Sequence, residues 1–600
     1  MTASSMCDYI QHYAETALLK TLESIVGPKD LLIETSLIKC MDSIASITKL
    51  QATGVAKIFK LESALPPNSS RKCVFIVKSK LSSIKQVCTV LSSNAHNREF
   101  YLLALPRLTA VCSTLIEAEG VFGLINLISL PVTLILVDED VASLEEDSFF
   151  KDVFLHSDSS PLTSVTMSLC QMEEFAKILH VTTLGEQSHS VRRQWRTSRW
   201  SHGPSSQKFV IDQLILFDRD IDLASLMATQ MTYTAILDDL FGIEKGKCII
   251  PRTVTRKEER QVKLRDPCDT FAAIKDKHVS AAFGVLSNES KKLISKSDVS
   301  TPQSISAMKH FVNVEVKAIT KLRNSLALHI SVCEEISRKR GQDFDVVRAV
   351  EQNLLQGVEM KQSIEMIKES ICSGKSWEVC LRLLCLLSLA NDGIPLGQLK
   401  PLRTAFLHQF GFHYLGVLQA LEKLGILHEA APVISTAQSK SGSMISKMAS
   451  SASLLGLKES AFIVRARRLG LSSSTASGVG GNGGRTHSAG FVFNDLYVPL
   501  VVKLVEAAYQ GTLDNFAKIS GVGSLSTEEL STKRSFGGTP SSGDLTGAGA
   551  RPRTILVYFI GGATFGELAA LRLVSKLHGF NILFAATNVC GGTRFLNKLL

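Results

Sequence analysis

Short apolar runs bounded by polar residues alternate with amphipathic stretches through the first half of the chain. Asp30 to Glu34, Cys73 to Val77, Val132 to Val137 and Gln213 to Phe217 have the length and flanks of β-strands. This alternation predicts α/β layers built on largely parallel sheets. Near the C-terminus the order recurs: Thr554 to Ile560, the pair Gly561-Gly562, a helical run from Glu567 to Leu577, then Asn581 to Ala586. The glycine pair permits a tight turn from strand to helix.

Between these regions the apolar period changes from two to three or four. Val312, Val316, Ile319, Leu322, Leu326, Ile330, Cys333 and Ile336 fall on one helical face that begins near Met308. A second face runs from Phe344 through Val347, Val350, Leu354, Val358, Ile364 and Ile367 to Ile371. With Arg338 to Asp343 as the turn, the two stretches predict an antiparallel hairpin about eight turns long. It either forms the rim of a core or projects from it. Two segments, Ser435 to Gly490 and Gly511 to Arg553, are so rich in Ser, Ala and Gly that they are expected to form disordered loops inserted in folded domains.

Composition narrows the class. Six hundred residues with 45% hydrophobic and 20% charged content suit a multi-domain globular chain. The thirteen cysteines are scattered and contain no C-x-x-C pair, as expected of buried thiols in a reducing compartment and not of a disulfide framework or zinc site. The N-terminal stretch places Ile10, Leu18, Leu22 and Ile25 on a helical face interrupted by charges, which is not a signal-peptide core, so a cytoplasmic protein is expected. The most apolar stretch, Val121 to Val137, is broken by Asn126, Ser129 and Pro131 and is too short to span a bilayer. A net charge of +10 permits a basic patch without demanding one. The densest cluster, Arg192, Arg193, Arg196 and Arg199 beside Trp195 and Trp200, is read as a solvated basic helix or loop, since no nucleic-acid-binding motif accompanies it.

Several strings imitate catalytic motifs. Gly478-Val479-Gly480-Gly481-Asn482-Gly483 satisfies G-x-G-x-x-G but lacks the flanking strand and helix that aim backbone N–H groups at a pyrophosphate. Gly374-Lys375-Ser376 resembles the end of a P-loop, yet Glu369 stands where the loop requires glycine, so a helix-end turn is expected. The strongest candidate is Leu216-Phe217-Asp218-Arg219-Asp220-Ile221-Asp222, a strand ending in D-x-D as in haloacid-dehalogenase-like phosphatases, with Asp238-Asp239 as conceivable metal ligands. An arginine between the aspartates equally suits a structural Arg–carboxylate network at a strand end, and this reading is preferred. His310, His329 and His413 occur singly on helical stretches and suit core or surface positions better than a base or ligand. No catalytic, cofactor-binding or metal-binding residue is assigned.

The same segment, followed by Ala228-Thr229-Gln230-Met231-Thr232-Tyr233 and Leu237-Asp238-Asp239-Leu240, resembles the signature of the SM (Sec/Munc) family. A second block, Val557 to Arg572, contains Phe559-Ile560-Gly561-Gly562-Ala563-Thr564 and Glu567-Leu568-Ala569-Ala570-Leu571-Arg572 and is similar to that family's C-terminal element. Leu381-Arg382-Leu383-Leu384, Tyr497-Val498-Pro499-Leu500 and Leu328-His329-Ile330 further resemble the thirty-three-type class C vacuolar-protein-sorting branch, above all its animal B paralogue. The resemblance covers nearly the whole chain. It departs at the Ser435 to Gly490 insertion and at the short basic stretch Ser188 to Pro204.

The resemblance implies an α/β plus α fold shaped as an arch. Residues 1–136 would form an N-terminal α/β domain, and 137–246 with 495–600 a discontinuous α/β domain in which the strands around Phe217 and Phe559 share a sheet. Residues 247–375 would form a helical domain with a projecting hairpin, and 376–494 a helical partner-docking subdomain carrying the Ser/Gly-rich insertion 435–490. The implied activity is a non-enzymatic SNARE-assembly chaperone and subunit of HOPS- or CORVET-like tethers, peripheral on late endosomes or lysosomes through its partners, with no cofactor and no nucleic acid. Leu322, Leu326 and His329 would face SNARE helices from the hairpin. Phe412, His413, Leu415 and Leu418 would dock a helical class C sorting partner subunit, sixteen-type or its B-specific relative. Asp218, Arg219, Asp222, Glu567 and Arg572 would be structural.

Overall fold

The computed structural model describes the chain except for residues 1–2, 66–69, 95–97, 200–207, 257, 266–268, 298–315, 431–459, 473–487, 522–524 and 531–550. Its first sheet comprises β1 (Lys29–Ile33), β2 (Val55–Lys60), β3 (Lys72–Lys78), β4 (Glu99–Leu105) and β5 (Ile125–Ser129) in the order β2-β1-β3-β4-β5, all parallel. The two-residue period explains why the central strand is apolar throughout. Val74 and Ile76 enter the core beneath the Ala3–Ser24 and Thr35–Ile44 helices, while Cys73, Phe75 and Val77 enter the core beneath the Leu81–Asn94 and Ala110–Ala118 helices.

The second sheet joins distant parts of the chain. It contains β6 (Ile135–Leu136), β7 (Val141–Ser143), β8 (Ala176–Leu184), β9 (Phe209–Asp218), β13 (Leu525–Glu529), β14 (Thr554–Ile560) and β15 (Asn581–Ala586), in the order β13-β8-β9-β14-β15-β7-β6. Its five inner strands are parallel and both edges antiparallel. In the β9–β14 ladder Phe217 is directly opposite Phe559, and the rings meet edge to face at 5.9 Å. Leu214, Leu216, Leu556 and Tyr558 point to the core shared with the Leu162–Phe175 helix; Ile215, Phe217, Val557 and Phe559 point to the opposite one. That second core continues without a break into the helices of residues 279–427, so the helical region shares the sheet's interior.

The expected strands hold their places with adjusted ends, apart from Val132 to Val137. Only Ile135 and Leu136 join a ladder there. The rest of that segment crosses between domains and buries Val132, Leu134 and Val137 in three different cores. A small antiparallel sheet of β10 (Ile243–Glu244), β11 (Lys247–Ile250) and β12 (Arg260–Lys263) was not legible in the pattern.

The hairpin expectation is corrected. One helix runs unbroken from Val316 to Gln356, through the supposed turn at 338–343. Arg338, Lys339, Arg340 and Gln342 are good helix formers, and a single Gly341 costs only about 1 kcal/mol, less than the burial of Ile336 and Val350 on either side returns. The reversal comes instead at Gly357, φ +70°, and Glu359, φ +49°, before the Met360–Cys372 helix. The long helix packs on the core and on the Val279–Ser297 and Trp377–Ala390 helices, so it does not project there. Met308, His310 and Val312 lie outside the described residues.

Two loop expectations are also corrected. Within Ser435 to Gly490, an Ala461–Leu469 helix is capped by the Ser460 hydroxyl and ended by Gly470, and it buries Ile463 and Ala466. Within Gly511 to Arg553, a Leu513–Ser520 helix precedes β13, which pairs with β8. Local apolar spacing in both pieces was masked by their Ser- and Gly-rich surroundings. The basic cluster is a helix, Glu186–Arg199, rather than a free loop: Trp195 is buried with its Nε1 donating to Glu173 at 2.9 Å, and Arg192 and Arg196 reach Glu528 on β13. Among the described residues no helix is long and apolar enough to cross a membrane, and twelve cysteines carry free thiols, ten of them buried.

If the long helix is continuous and packed, Leu326→Ala, which empties a 3% exposed position, lowers stability by about 2 to 5 kcal/mol in urea unfolding. Ile330→Ala, on the outer face of the same helix, changes it by less than about 1 kcal/mol. Equal, small effects at both positions would indicate a projecting hairpin.

Candidate functional site: a buried polar joint and the surfaces around it

Where β9 and β14 end side by side, the chain concentrates charge in its interior. The Asp218 carboxylate accepts the backbone N–H groups of Gln187 at 2.7 Å and Ser188 at 2.8 Å, together with the Ser188 hydroxyl. It thereby caps the Glu186–Arg199 helix from a neighbouring strand, satisfying donors that a helix start leaves unpaired. Gly185, at φ +116°, makes room, since a Cβ there would stand 2.1 Å from Asp218 Oδ2. Burial pushes the Asp218 carboxyl up to about 8, against the pull of the Ser188 hydroxyl.

Arg219 and Glu567 form a bidentate ion pair at 2.7 and 2.9 Å, with exposures of 1% and 0%. Glu567 Oε2 also accepts the N–H and hydroxyl of Thr564, whose own oxygen accepts the Glu567 N–H, so the pair sits inside the capping box of the Phe565–His578 helix. Although burial works against the guanidinium charge, Glu567 and Asp222 hold the Arg219 pKa above its ordinary value. Asp222 accepts from Ser225 N–H and Oγ, from Tyr497 Oη at 3.2 Å, and from Leu500 N–H at 3.0 Å, capping the Leu500–Gln510 helix. Three helices of one domain thus start on side chains of the Asp218 to Asp222 turn or on their ion-pair partner.

The rest of the signature fastens this turn to its surroundings. Gln230 Oε1 accepts Gly566 N–H at 2.7 Å. Thr229 donates to Glu351 of the long helix, and Arg382 donates to Met227 O and Thr229 Oγ1. The Thr232 hydroxyl caps the Tyr233–Phe241 helix, and Tyr233 Oη meets His329 Nδ1 at 2.9 Å. Asp238 accepts from Ile243 and Gly591 N–H and pairs with Arg594. Arg572 binds Asp138 at 2.7 Å and Asp276 at 2.6 Å and also reaches Asp140, which ties the helical region, the domain linker and the C-terminal piece together.

This geometry disposes of the phosphatase alternative. Asp218 is fully buried with both oxygens occupied, and among the described residues no three His, Cys, Asp or Glu side chains converge on a metal geometry. Gly374, at φ +70°, follows the Met360–Cys372 helix as a helix-end turn, and Gly478 to Gly483 lies outside the described residues.

The expected docking residues separate into two groups. Phe412 is 67% exposed in a 3₁₀ turn, His413 beside it is exposed, and Leu415 is half-buried at the start of the Leu415–Lys423 helix. Leu418 is fully buried and belongs to the core, which corrects its assignment as a contact. Leu326 and His329 are likewise core residues, His329 being stacked on Phe271 at 5.6 Å, so neither faces a partner, whereas Leu322 is only partly buried against the same core. The Glu351–Arg382 pairing went unassigned. Its signal was a lone arginine within Leu381 to Leu387, since a charge inside an apolar helix must find a partner.

A match to the Sec1 family extends over residues 29–598, and the chain belongs to that family. It is accordingly not an enzyme, in keeping with carboxylates committed to helix caps. The chain is 28% identical over 605 residues to vacuolar protein sorting-associated protein 33B of Danio rerio, covering 98% of this chain and 97% of the relative. The human protein of that name is 26% identical at 98% and 96% coverage, and the Arabidopsis thaliana vacuolar protein-sorting-associated protein 33 homolog 25% identical at 98% and 97%. Similar folds occur in the SM protein Vps45 in complex with the Qa SNARE Tlg2, with a TM-score of 0.61 and 16% identity over 98% of this chain and 97% of that one. The Unc18–syntaxin 1 complex from Monosiga brevicollis gives a TM-score of 0.60 and 16% identity, covering 98% of each chain.

Removing one member of the central pair leaves a buried charge alone. Arg219→Met and Glu567→Leu each cost about 3 to 5 kcal/mol in urea unfolding, whereas the double variant recovers most of the loss. A double variant as unstable as the sum of the singles would mean that the pair does not act as a unit.

Proposed function

We propose that this chain is a SNARE-assembly chaperone and tethering-complex subunit that acts in vesicle docking and fusion at late endosomes, lysosomes or related organelles. The observation that carries the reading is the near-complete match to the Sec1 family, with 33-type vacuolar sorting proteins among its relatives and structural neighbours solved with Tlg2 or syntaxin 1. A frame fixed by buried ion pairs suits such work. Holding SNARE helices in register lowers the ordering cost of a four-helix bundle, and only a preorganised surface does this. The chain acts from the cytoplasm and reaches membranes through its partners.

The second part of the proposal is a docking surface for a helical class C sorting subunit around Phe412, His413 and Leu415. Phe412 supports it, because a phenyl ring 67% exposed on a folded helical layer is an aromatic anchor of the kind that dominates interfaces. Phe412→Asp abolishes pull-down of the partner subunit and leaves the melting temperature within a few degrees of the parent. A collapsed melting temperature would place Phe412 in the core, and retained binding would place the dock elsewhere. For the chaperone activity, acceleration of SNARE-driven liposome fusion by the purified chain is expected with an endosomal or lysosomal SNARE set. No acceleration and no SNARE binding with any such set would overturn the reading.

A further inference from the structure

The strand β13 carries a seam of hydroxyls and charges that neither the buried joint nor the Phe412 surface uses. It is outermost in its sheet and pairs with β8 alone, from Leu525 opposite Leu184 to Glu529 opposite His180. The two-residue period puts Ser526 and Glu528 on one face, where both meet the Glu186–Arg199 helix. Arg192 Nη1 donates to Ser526 Oγ at 2.8 Å and stands 3.7 Å from Glu528, while Arg196 Nη1 reaches Glu528 at 3.2 Å. From β8 the Thr183 hydroxyl donates to Ser526 O at 3.4 Å and meets the His189 ring at 3.0 Å. Thr527 is turned away from this seam, its hydroxyl 3.3 Å from that of Thr182.

Two guanidiniums and one carboxylate leave the seam with an excess positive charge, and Ser526 is the hydroxyl that one of the guanidiniums touches. Glu528 lies nearer Arg196 than Arg192, so Arg192 can serve Ser526 without stranding the carboxylate. The order Ser526-Thr527-Glu528-Glu529 places carboxylates two and three residues after the serine, the charge pattern that acidophilic serine/threonine kinases read in an extended substrate. The serine is half-buried, but it sits on a five-residue edge strand whose outer side has no ladder partner among the described residues. Such a strand opens more readily than the interior of its sheet and offers a free backbone edge to a partner.

We propose that Ser526 is a phosphorylation site for an acidophilic serine/threonine kinase, and that its phosphate clamps β13 onto Arg192 and Arg196. Transfer forms the bond from Ser526 Oγ to the γ-phosphorus of ATP and breaks that phosphorus from its bridging oxygen; ADP leaves and the hydroxyl proton passes to the base of the kinase. A phosphate bears nearly two negative charges and three acceptor oxygens, so the neutral contact from Arg192 becomes a charge-assisted one and Arg196 gains a second anion to bridge. With two arginines facing it, the phosphate is attracted to the seam more strongly than Glu528 repels it. The modification therefore fastens the sheet edge to the helix whose start Asp218 caps, a role separate from SNARE alignment and from the Phe412 surface.

The test incubates the full chain with casein kinase 2, ATP and magnesium and locates phosphate by peptide mass spectrometry. Phosphate is expected on Ser526, absent from this strand in Ser526→Ala, and incorporated at least about fivefold more slowly in Glu529→Gln, which alters an exposed side chain and leaves the seam intact. Hydrogen–deuterium exchange then reads the clamp. Amides of β13 and β8 are expected to exchange at least about threefold more slowly in the phosphorylated chain, and this gain is expected to vanish in phosphorylated Arg192→Met. The proposal is overturned if Ser526 stays unmodified, if Thr527 takes the phosphate instead, or if phosphate on Ser526 leaves β13 exchange unchanged or faster. A gain in protection that survives Arg192→Met also overturns it.

Discussion

The contact on which the rest of this structure depends is the ion pair between Arg219 and Glu567, 348 residues apart and both shielded from water. Neither charge is tolerable there alone, so the interior is complete only when the C-terminal piece lays β14 against β9 and brings the start of its helix to the strand end. Such pairs contribute little net stability compared with apolar packing. The pair is formed in the register observed, in which Phe217 faces Phe559 and the start of the Phe565–His578 helix lies at the end of β9.

Around the pair, carboxylates do what catalytic groups do elsewhere: they meet arrays of donors. Asp218 receives the first N–H groups of one helix, Asp222 those of another, and Glu567 those of its own. The donors are backbone groups that folding must satisfy, and no substrate has access to them. Functional surfaces therefore lie outside the joint, where side chains are exposed for reasons the core does not supply. Phe412, 67% exposed on the helical layer, is one place where a large apolar side chain faces solvent.

Much of this was legible in the sequence, for identifiable reasons. Strands buried on both faces read as continuous apolar runs, so β14 and β15 were found with their ends in place. The spacing of Asp218, Arg219 and Asp222 announced a structural carboxylate network, and the SM resemblance linked it to Glu567. The reversal of the long helix was not legible, because the polar sequence Arg338-Lys339-Arg340-Gly341 has the composition of a turn although it continues the helix. Its true end depends on backbone conformation at Gly357 and Glu359. The burial of Leu326, His329 and Leu418 was hidden as well, since periodicity marks the apolar face of a helix but not whether a core or a partner covers it. The edge strand β13 and the helix at Ala461–Leu469 were obscured by Ser- and Gly-rich neighbours.

One buried pair thus couples the two distant chain pieces into a single cooperative unit. Hydrogen–deuterium exchange on an Arg219→Met variant, under conditions where it remains folded, tests this most directly. The expected result is a joint loss of amide protection in β9, in β14 and in the first turns of the helices beginning at Glu186, Leu500 and Phe565. Loss confined to the Phe217 to Asp222 turn, with β14 and the Phe565–His578 helix protected as in the parent, would contradict the account.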